Sequence, residues 1–296
     1  MKAKTLLRET FARIVVYCGI AKATRSLLWR DRVAFLLYHD PDPALLDKHL
    51  EYLKKICDII PIDQANVPGR GRPRAVITLD DGHARNELLL PVLIKHGVKP
   101  TIYLCSGIVG HARSYWWLDP ATKNADLERL KRLTNRERLT ELGARGYRQD
   151  GDTSPEYIGG LNAAQLEAMR PYVDFQSHTR FHPILTRCDD QECVDEIAGS
   201  KREVEELLGG SCEHFAYTNG NYGPREVAAL KQAGYKTART CDVGWNDEHT
   251  DPFRLKAFEL PDDASVSWLA ANLTGIPLFL RHLRLGGNWK GYKPQF

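Results

Sequence analysis

The feature that most constrains the fold of this chain is a repeated alternation between short apolar runs and longer amphipathic segments. Runs with strand character occupy residues 32–38, 74–79, 101–105, 172–177, 213–217, 235–240 and 253–258. Segments with helical periodicity occupy residues 3–30, 45–56, 84–96, 126–142, 191–208 and 224–233. A strand–helix–strand order favours parallel pairing, because the helix carries the chain back to the start of the next strand. The alternation therefore predicts an α/β barrel.

The size and composition of the chain agree with one folded domain that carries additional segments. Its 296 residues are 43% hydrophobic and 27% charged, which excludes wholesale disorder and coiled coil. We expect a basic amphipathic helix over 1–33, a main folded domain over 34–275 and a basic tail over 276–296. Residues 112–165 break the alternation with a Trp pair, a charged helical stretch and a Gly/Asp/Ser/Pro-rich loop. We interpret them as a mostly helical insertion over one face of the sheet.

Charge is balanced over the whole chain but concentrated at its two ends. Lys and Arg number 41 against 38 Asp and Glu, a net +3, which argues against a nucleic-acid-binding protein. Residues 1–32 hold eight cations and two acids, and residues 264–296 hold four cations and no acid. Two interpretations are open: the basic ends dock on an anionic membrane surface, or they pack on the barrel and display solvated charge.

Cysteine usage and hydropathy bear on the compartment. Seven cysteines without a C-x-x-C pair indicate reduced thiols. No apolar run approaches the roughly 20 residues of a membrane-spanning helix. The run 14–21 has the length of a signal-peptide core, but its flanking cations favour a mature helix, with secretion as the alternative. We therefore expect a cytoplasmic protein, located at the inner membrane surface if the basic ends bind lipid; the oligomeric state is not specified.

Three polar segments follow predicted strands, where α/β barrels carry their sites. The first is Thr78-Leu79-Asp80-Asp81-Gly82. Adjacent carboxylates at the end of a strand are expected to point in different directions, so that one can bind a metal while the other takes a proton. The alternative is a helix cap, in which an Asp accepts the free N–H groups of the following helix.

The second segment carries two histidines and the third is an Asn/Gly turn. His178 and His182 are four residues apart, a spacing that places both imidazoles on one face of a helical turn, where they can share a cation. Surface or core histidines are the alternative. The third segment includes Tyr217, Asn219 and Gly220, and its backbone N–H groups could face a ligand or simply form a tight turn.

Together the three segments resemble the polysaccharide deacetylases, the NodB-homology family also known as carbohydrate esterase family 4. T-L-D-D-G resembles the family's T-F-D-D-G, H-T-R-F-H-P resembles H-[ST]-x-x-H-P, and F-A-Y-T-N-G resembles F-A-Y-P-x-G. Leu36-Leu37-Tyr38-His39 and Asp251-Pro252-Phe253-Arg254-Leu255 are similar to segments of the branch that deacetylates poly-N-acetylglucosamine. The resemblance covers about residues 34–275 and implies a distorted (β/α)7–8 TIM-like barrel.

The resemblance also implies a role for each motif residue. Asp81, His178 and His182 would bind one divalent metal, with Zn²⁺ as the first expectation and Co²⁺ or Ni²⁺ as alternatives. Asp80 would be the general base that removes a proton from the attacking water. A backbone N–H in the turn of Tyr217, Asn219 and Gly220 would stabilise the oxyanion.

The chain departs from the family pattern at three points. The late histidine motif that usually supplies the general acid has no clean counterpart, so His39 is the expected acid, unless it merely packs under the barrel mouth. Thr218 replaces the usual proline of the third segment, and the arginine that often braces the base is missing from that segment.

Trp116 and Trp117 are expected either to stack on a sugar ring or to pack in the core.

The function that these residues predict is metal-dependent removal of N-acetyl groups from an amino-sugar glycan or glycolipid. Hydrolysis of another small N-acyl or N-formyl amine is a second interpretation. A non-catalytic metal-binding or glycan-binding protein is a third, against which Asp80 argues, because a pure binder has no need of a base.

Overall fold

The computed structural model describes residues 3–66, 69, 71–153, 159–277 and 280. Residues 278–279 and 281–296, most of the predicted tail, and residues 154–158 of the predicted insertion lie outside the described part. The helices within it are α1 (Ala3–Tyr17), α2 (Ile20–Thr24), α3 (Pro43–Ile56), α4 (Leu90–His96), α5 (Leu127–Leu130), α6 (Asn135–Ala144), α7 (Ala163–Met169), α8 (Asp190–Leu208), α9 (Pro224–Gln232) and α10 (Val266–Asn272).

Six of the seven predicted runs of strand character contain a strand. The seventh, 253–258, begins in a 3₁₀ helix over Pro252–Arg254, and only its last two residues belong to a strand. The strands are β1 (Val33–Tyr38), β2 (Asp58–Ile59), β3 (Arg74–Leu79), β4 (Thr101–Leu104), β5 (Asp174–Ser177), β6 (His214–Ala216), β7 (Thr237–Arg239) and β8 (Ala257–Glu259). Apart from the two-residue β2, each is short and largely buried. Strands buried on both faces are typical of parallel sheets covered by helices.

The chain divides into two compact units. Within the described ranges, unit 1 contains residues 3–66, 69, 71–79, 88–101, 241–277 and 280. Its strands pair in the order β2-β3-β1-β8, and all of these pairs are parallel. β1 pairs with β3 along its whole length, from Val33 opposite Arg74 to Tyr38 opposite Leu79. All six side chains of β1 are buried, so this strand forms the centre of the unit's core.

Over the described residues, unit 2 contains 80–87, 102–153 and 159–240. Its strands lie in the order β4-β5-β6-β7, and β5, β6 and β7 pair in parallel. Because parallel neighbours end at the same edge of a sheet, the residues that follow β5 and β6 and the last residue of β7 come together. α8 and α9 pack against each other in this unit, and α8 also contacts β5.

Three predicted helices differ from the structure. The expected helix over 3–30 is interrupted at Gly19, which has a φ of 74° and begins α2, and residues Arg25–Trp29 form a π-helical turn. The stretch 126–142 is split into α5 and α6 because Thr134 begins α6 with a capping box to Glu137. The first half of 84–96 is a 3₁₀ helix over Ala84–Leu89.

Two further sequence predictions concern thiols and membrane spans. All seven cysteines are free thiols in the structure. Within the described ranges, no helix combines the length and the apolar character needed to cross a bilayer.

Candidate active site

Strand ends in unit 2 position most of the candidate residues. His178 directly follows β5, Tyr217 directly follows β6, and Arg239 is the last residue of β7. Asp80 and Asp81 directly follow β3 and belong to unit 2 by their contacts. The backbone N–H of Cys105 donates to the carbonyl of Asp81 at 3.3 Å, and that of His178 donates to Leu104 at 2.8 Å. Both candidate ligands are thereby fixed beside the end of β4.

A tight turn separates the two adjacent carboxylates. Asp81 and Gly82 have φ angles of 72° and 76°, so the direction of the Asp81 side chain is set by left-handed backbone and not by strand alternation. A Cβ at Gly82 would lie 2.6 Å from Leu104 Cδ2, so only glycine fits there without displacement. The turn is further held by Tyr115, whose hydroxyl donates to the Asp81 carbonyl at 2.8 Å.

The histidine segment is an irregular loop and not the helical turn that the spacing suggested. Thr179 and His182 have positive φ angles, 68° and 53°, which no helical turn contains. The imidazoles nevertheless converge, with ring centroids 4.9 Å apart. The loop is docked on the residues after β4, because the N–H groups of Ser106 and Gly107 donate to the carbonyls of Thr179 and Arg180. Strained backbone of this kind is common where a site needs fixed geometry.

A buried carboxylate that the sequence did not reveal holds this loop from the other side. Glu196 on α8 accepts the N–H groups of Arg180 at 2.8 Å and Phe181 at 3.0 Å through one oxygen. Burial raises the pKa of Glu196 to about 7, against the opposing effect of these two hydrogen bonds. The available signal was a glutamate at a position where the amphipathic pattern of α8 requires an apolar residue.

The three predicted metal ligands converge. Asp81 Oδ1 lies 3.5 Å from His178 Nε2 and 3.4 Å from His182 Nε2. Ligand atoms bound tetrahedrally to one Zn²⁺ at about 2.1 Å are about 3.4 Å apart, so the spacing fits a shared ion. Asp81 Oδ1 is buried and has no hydrogen-bond partner among the described residues. A buried carboxylate oxygen without a donor is costly unless a cation satisfies it.

The protonation of the cluster suits a cation. The Nδ1–H of His178 donates to the Ala216 carbonyl at 2.8 Å, which directs the Nε2 lone pair towards Asp81. Burial lowers the pKa of His182 to about 3, so its imidazole is neutral near pH 7 and offers a lone pair. Burial acts to raise the pKa of Asp81. The 3.1 Å hydrogen bond from His83 and the electrostatic effect of the neighbouring histidines outweigh burial and hold the pKa of Asp81 well below its ordinary value.

Arg239 braces the predicted base. Its guanidinium is fully buried and donates from one nitrogen to both oxygens of Asp80 at 2.5 Å. The third segment does lack an arginine, as the sequence indicated, and the arginine that pairs with Asp80 is instead the last residue of β7. Its sequence signal was a charged residue within a predicted buried strand. The other side of the guanidinium lies over the Tyr103 ring, 5.3 Å from its centroid.

The third segment is tied to the histidine loop. Thr218, in place of the family's proline, is buried and donates its hydroxyl to the Pro183 carbonyl. The N–H of Tyr217 donates to Arg239 at 3.0 Å and that of Gly220 to Tyr217 at 3.1 Å, so both are engaged within the protein. Asn219 has a φ of 54° and bonds Asn221 through its side-chain amide. The oxyanion role of this turn stays a prediction.

The tryptophan pair serves two different purposes. Trp116 is buried in a cluster with Leu130, Leu142 and Tyr147, and its Nε1–H donates to the His182 carbonyl at 3.2 Å. Of the two expectations for Trp116, core packing is the one that the structure shows, since the side chain is only 2% exposed and supports a candidate ligand from the core. Trp117 is half-buried, with its ring centroid 4.5 Å from that of His182. Trp117 is therefore the member of the pair that keeps part of its surface in solvent.

His39, the expected general acid, belongs to unit 1. It follows β1, is half-buried, and its backbone N–H donates to Asp262 at 3.4 Å. Its role in proton transfer stays a prediction.

The chain is similar to known proteins over most of its length. The family model of polysaccharide deacetylases matches residues 68–238, more than half of the chain. YxkH of Bacillus subtilis, a polysaccharide deacetylase by name, is 22% identical over 170 residues, which are 57% of this chain and 45% of YxkH. The chain therefore spans less than half the length of that curated relative.

Solved structures show the same fold. The deacetylase PplD of Streptococcus pyogenes, in complex with acetate, superimposes with a TM-score of 0.61 at 16% identity, over 82% of this chain and 98% of that one. A de-N-acetylase from Aggregatibacter actinomycetemcomitans superimposes with a TM-score of 0.58 at 15% identity, over 82% of this chain and 100% of that one. These likenesses confirm the predicted fold class, the α/β barrel of NodB-homology type.

Proposed function

The chain belongs to the polysaccharide deacetylase family, and from that membership we propose that it is a metal-dependent hydrolase that removes N-acetyl groups from an amino-sugar glycan or glycolipid. The observation that carries the proposal is the convergence of Asp81, His178 and His182, with Asp80 adjacent in sequence and paired to Arg239. The three converging residues would supply the metal ligands, and the Asp80–Arg239 pair would supply a base held in one orientation.

The residues fit a catalytic and not a structural metal site. Two imidazoles and one carboxylate leave coordination positions open, as catalytic zinc sites do. A divalent ion held by these three residues would polarise the amide carbonyl and acidify the attacking water. Zn²⁺ is the expected ion from the ligand types, and Co²⁺ and Ni²⁺ suit the same ligands.

The chain's own residues account for the proton transfers. Asp80 would take a proton from the attacking water, and Arg239 holds both of its oxygens in position for that step. The departing amine must be protonated, because an amide anion is a very poor leaving group, and His39 is the proposed donor. Trp117 is the proposed contact for the apolar face of the sugar ring. The products are a free amine and acetate.

The test is metal analysis together with acetate release from N-acetylglucosamine oligomers, for the wild type and Asp80→Asn. The variant should retain the metal, because Asp80 is not one of the three ligands, and lose at least about 100-fold in kcat. Measuring formate beside acetate separates the deformylase alternative. Equal turnover by the variant would rule out the proposed base, and an absence of any bound divalent metal would rule out the metal centre.

The location of the protein stays a proposal. Free thiols at all seven cysteines support a reducing compartment such as the cytoplasm.

A further inference from the structure

α1 is apolar on two faces, and only one of them is packed. Ala12 and Val15 are buried against Ala271 of α10, with Phe11 packed beside them. Leu7, Ile14 and Tyr17 recur at helical spacing on the opposite side and are 68%, 54% and 94% exposed. The helix has therefore already used one apolar face for folding, and the second face is left in solvent.

Apolar exposure continues beyond the break at Gly19. Leu27 is 80% exposed and Leu28 49% exposed in the π-helical turn. The same turn is anchored by Trp29, which is buried and donates its Nε1–H to the Arg74 carbonyl at 2.9 Å. The segment is thus fixed to unit 1 at α1 and again at Trp29, while the leucines between these anchors face outward. Exposed apolar groups of this density mark interaction surfaces.

The charge of this segment is of one sign. Residues 10–30 contain four cations and no acid. Arg13, Lys22 and Arg30 are exposed, and none of them has a carboxylate within ion-pair distance in the described part of the chain. Arg8, by contrast, is engaged with Glu9 and Asp263. We call the surface formed by the exposed side chains of residues 6–30 the N-terminal face.

We propose that the N-terminal face is a docking surface for an anionic lipid bilayer. Its exposed leucines, Ile14 and Tyr17 would enter the boundary between headgroups and acyl chains, where aromatic and aliphatic side chains are stabilised. Arg13, Lys22 and Arg30 would contact the anionic headgroups. A second protein copy explains the apolar side chains but not the unpaired cations, since two copies would bring like charges together. An anionic bilayer accounts for both the exposed apolar side chains and the cations.

The proposal is tested by vesicle flotation of the full chain, independently of any enzymatic activity. Wild-type protein should float with vesicles of phosphatidylcholine and phosphatidylglycerol, bind much less to phosphatidylcholine alone, and bind more weakly as salt increases. Replacing the three cations together, Arg13→Gln, Lys22→Gln and Arg30→Gln, should reduce binding at least about tenfold. The apolar set Leu7→Ser, Ile14→Ser and Leu27→Ser should reduce it by a similar factor.

Matched controls separate the face from general charge and hydrophobicity. Lys48→Gln, Lys123→Gln and Arg132→Gln remove the same charge from exposed positions elsewhere, and Leu88→Ser with Ile94→Ser removes exposed apolar groups elsewhere. Both control sets should bind vesicles as the wild type does, and thermal melts should show every variant folded. Failure of the wild type to float overturns the proposal. The proposal is also overturned if light scattering shows a wild-type dimer and the apolar variant set dissociates this dimer without changing the binding to vesicles.

Discussion

Two carboxylates that are neighbours in sequence have different partners in the fold. Asp80 pairs with a buried arginine and lies 3.8 Å from His178 Nε2, whereas Asp81 has no arginine partner in the described ion pairs and lies beside three histidines. The left-handed backbone at Asp81 is what separates them. The motif predicted two roles, and the contacts supply a physical basis for each: a carboxylate locked by a guanidinium and a carboxylate with one unsatisfied oxygen.

Replacement of Arg239 should affect rate more than binding. In Arg239→Gln we expect kcat to fall about 100-fold, because the base loses its fixed orientation, with KM changed less than about threefold. Metal content should be unchanged, since the guanidinium of Arg239 pairs with Asp80, which is not one of the three ligands. Steady-state kinetics and metal analysis of the purified variant measure both.

Arg225→Gln is the matched control, because that arginine pairs with Glu226 and Asp190 instead. Arg239→Lys should recover only part of the rate, since lysine keeps the charge but not the planar donor geometry. A wild-type kcat in Arg239→Gln would show that the pairing has no part in turnover.

At the scale of elements, helices and strands hold the site loops in place. α8 supplies Glu196 to the histidine loop, and the residues after β4 bind the same loop from the other side. Periodicity predicted α8 within one residue of its start, and Glu196 falls at an apolar position of that pattern, but the pattern could not show which groups the buried carboxylate would bind. That depends on what α8 packs against, which is a property of the tertiary structure.

Glu196 should make stability fall with rising pH. Its pKa is raised from about 4.5 unfolded to about 7 folded, because it is buried. The folded state therefore holds more protons in that window, and the free energy of unfolding decreases as pH rises from about 5 to about 7. One proton can lower the free energy of unfolding by at most about 1.4 kcal/mol per pH unit.

The measurement is chemical denaturation of metal-free protein across this window, for the wild type and Glu196→Gln. Glutamine keeps a carbonyl oxygen for the two loop N–H groups but cannot ionise, so the variant should lack this component of the slope. Both proteins carry the same cations near this position, Arg180 and Arg138, so the effects of these cations cancel in the comparison. Identical slopes in the two proteins would contradict the assignment.

At the scale of the whole molecule, the candidate metal ligands all lie in unit 2, on segments separated by about a hundred residues. An ion that joins Asp81 to His178 and His182 would therefore cross-link the segment after β3 to the loop after β5. Binding to the folded state alone stabilises it, because the unfolded chain does not hold the ligands together.

Metal removal should lower both stability and activity. Chelation should decrease the free energy of unfolding by about 2.7 kcal/mol relative to protein in metal at 100 times its dissociation constant. Thermal melts with and without added Zn²⁺ measure the shift, and His178→Gln serves as the control that should not respond. Equal melting of wild type and variant under both conditions would mean that no ion binds at this cluster.

The sequence by itself determined the alternation of strands and helices, the positions of the D-D-G and H-x-x-x-H segments and their place after strands. These are local properties, set by side-chain periodicity and by turn residues such as Gly82. Only the tertiary structure decided that Arg239 pairs with Asp80 across 159 positions, that Trp116 is core and that α1 leaves a second apolar face in solvent. The physical reason is that burial and pairing depend on which surfaces meet in the fold. A periodic pattern shows that a segment has an apolar face, but it does not show which other segment that face will pack against.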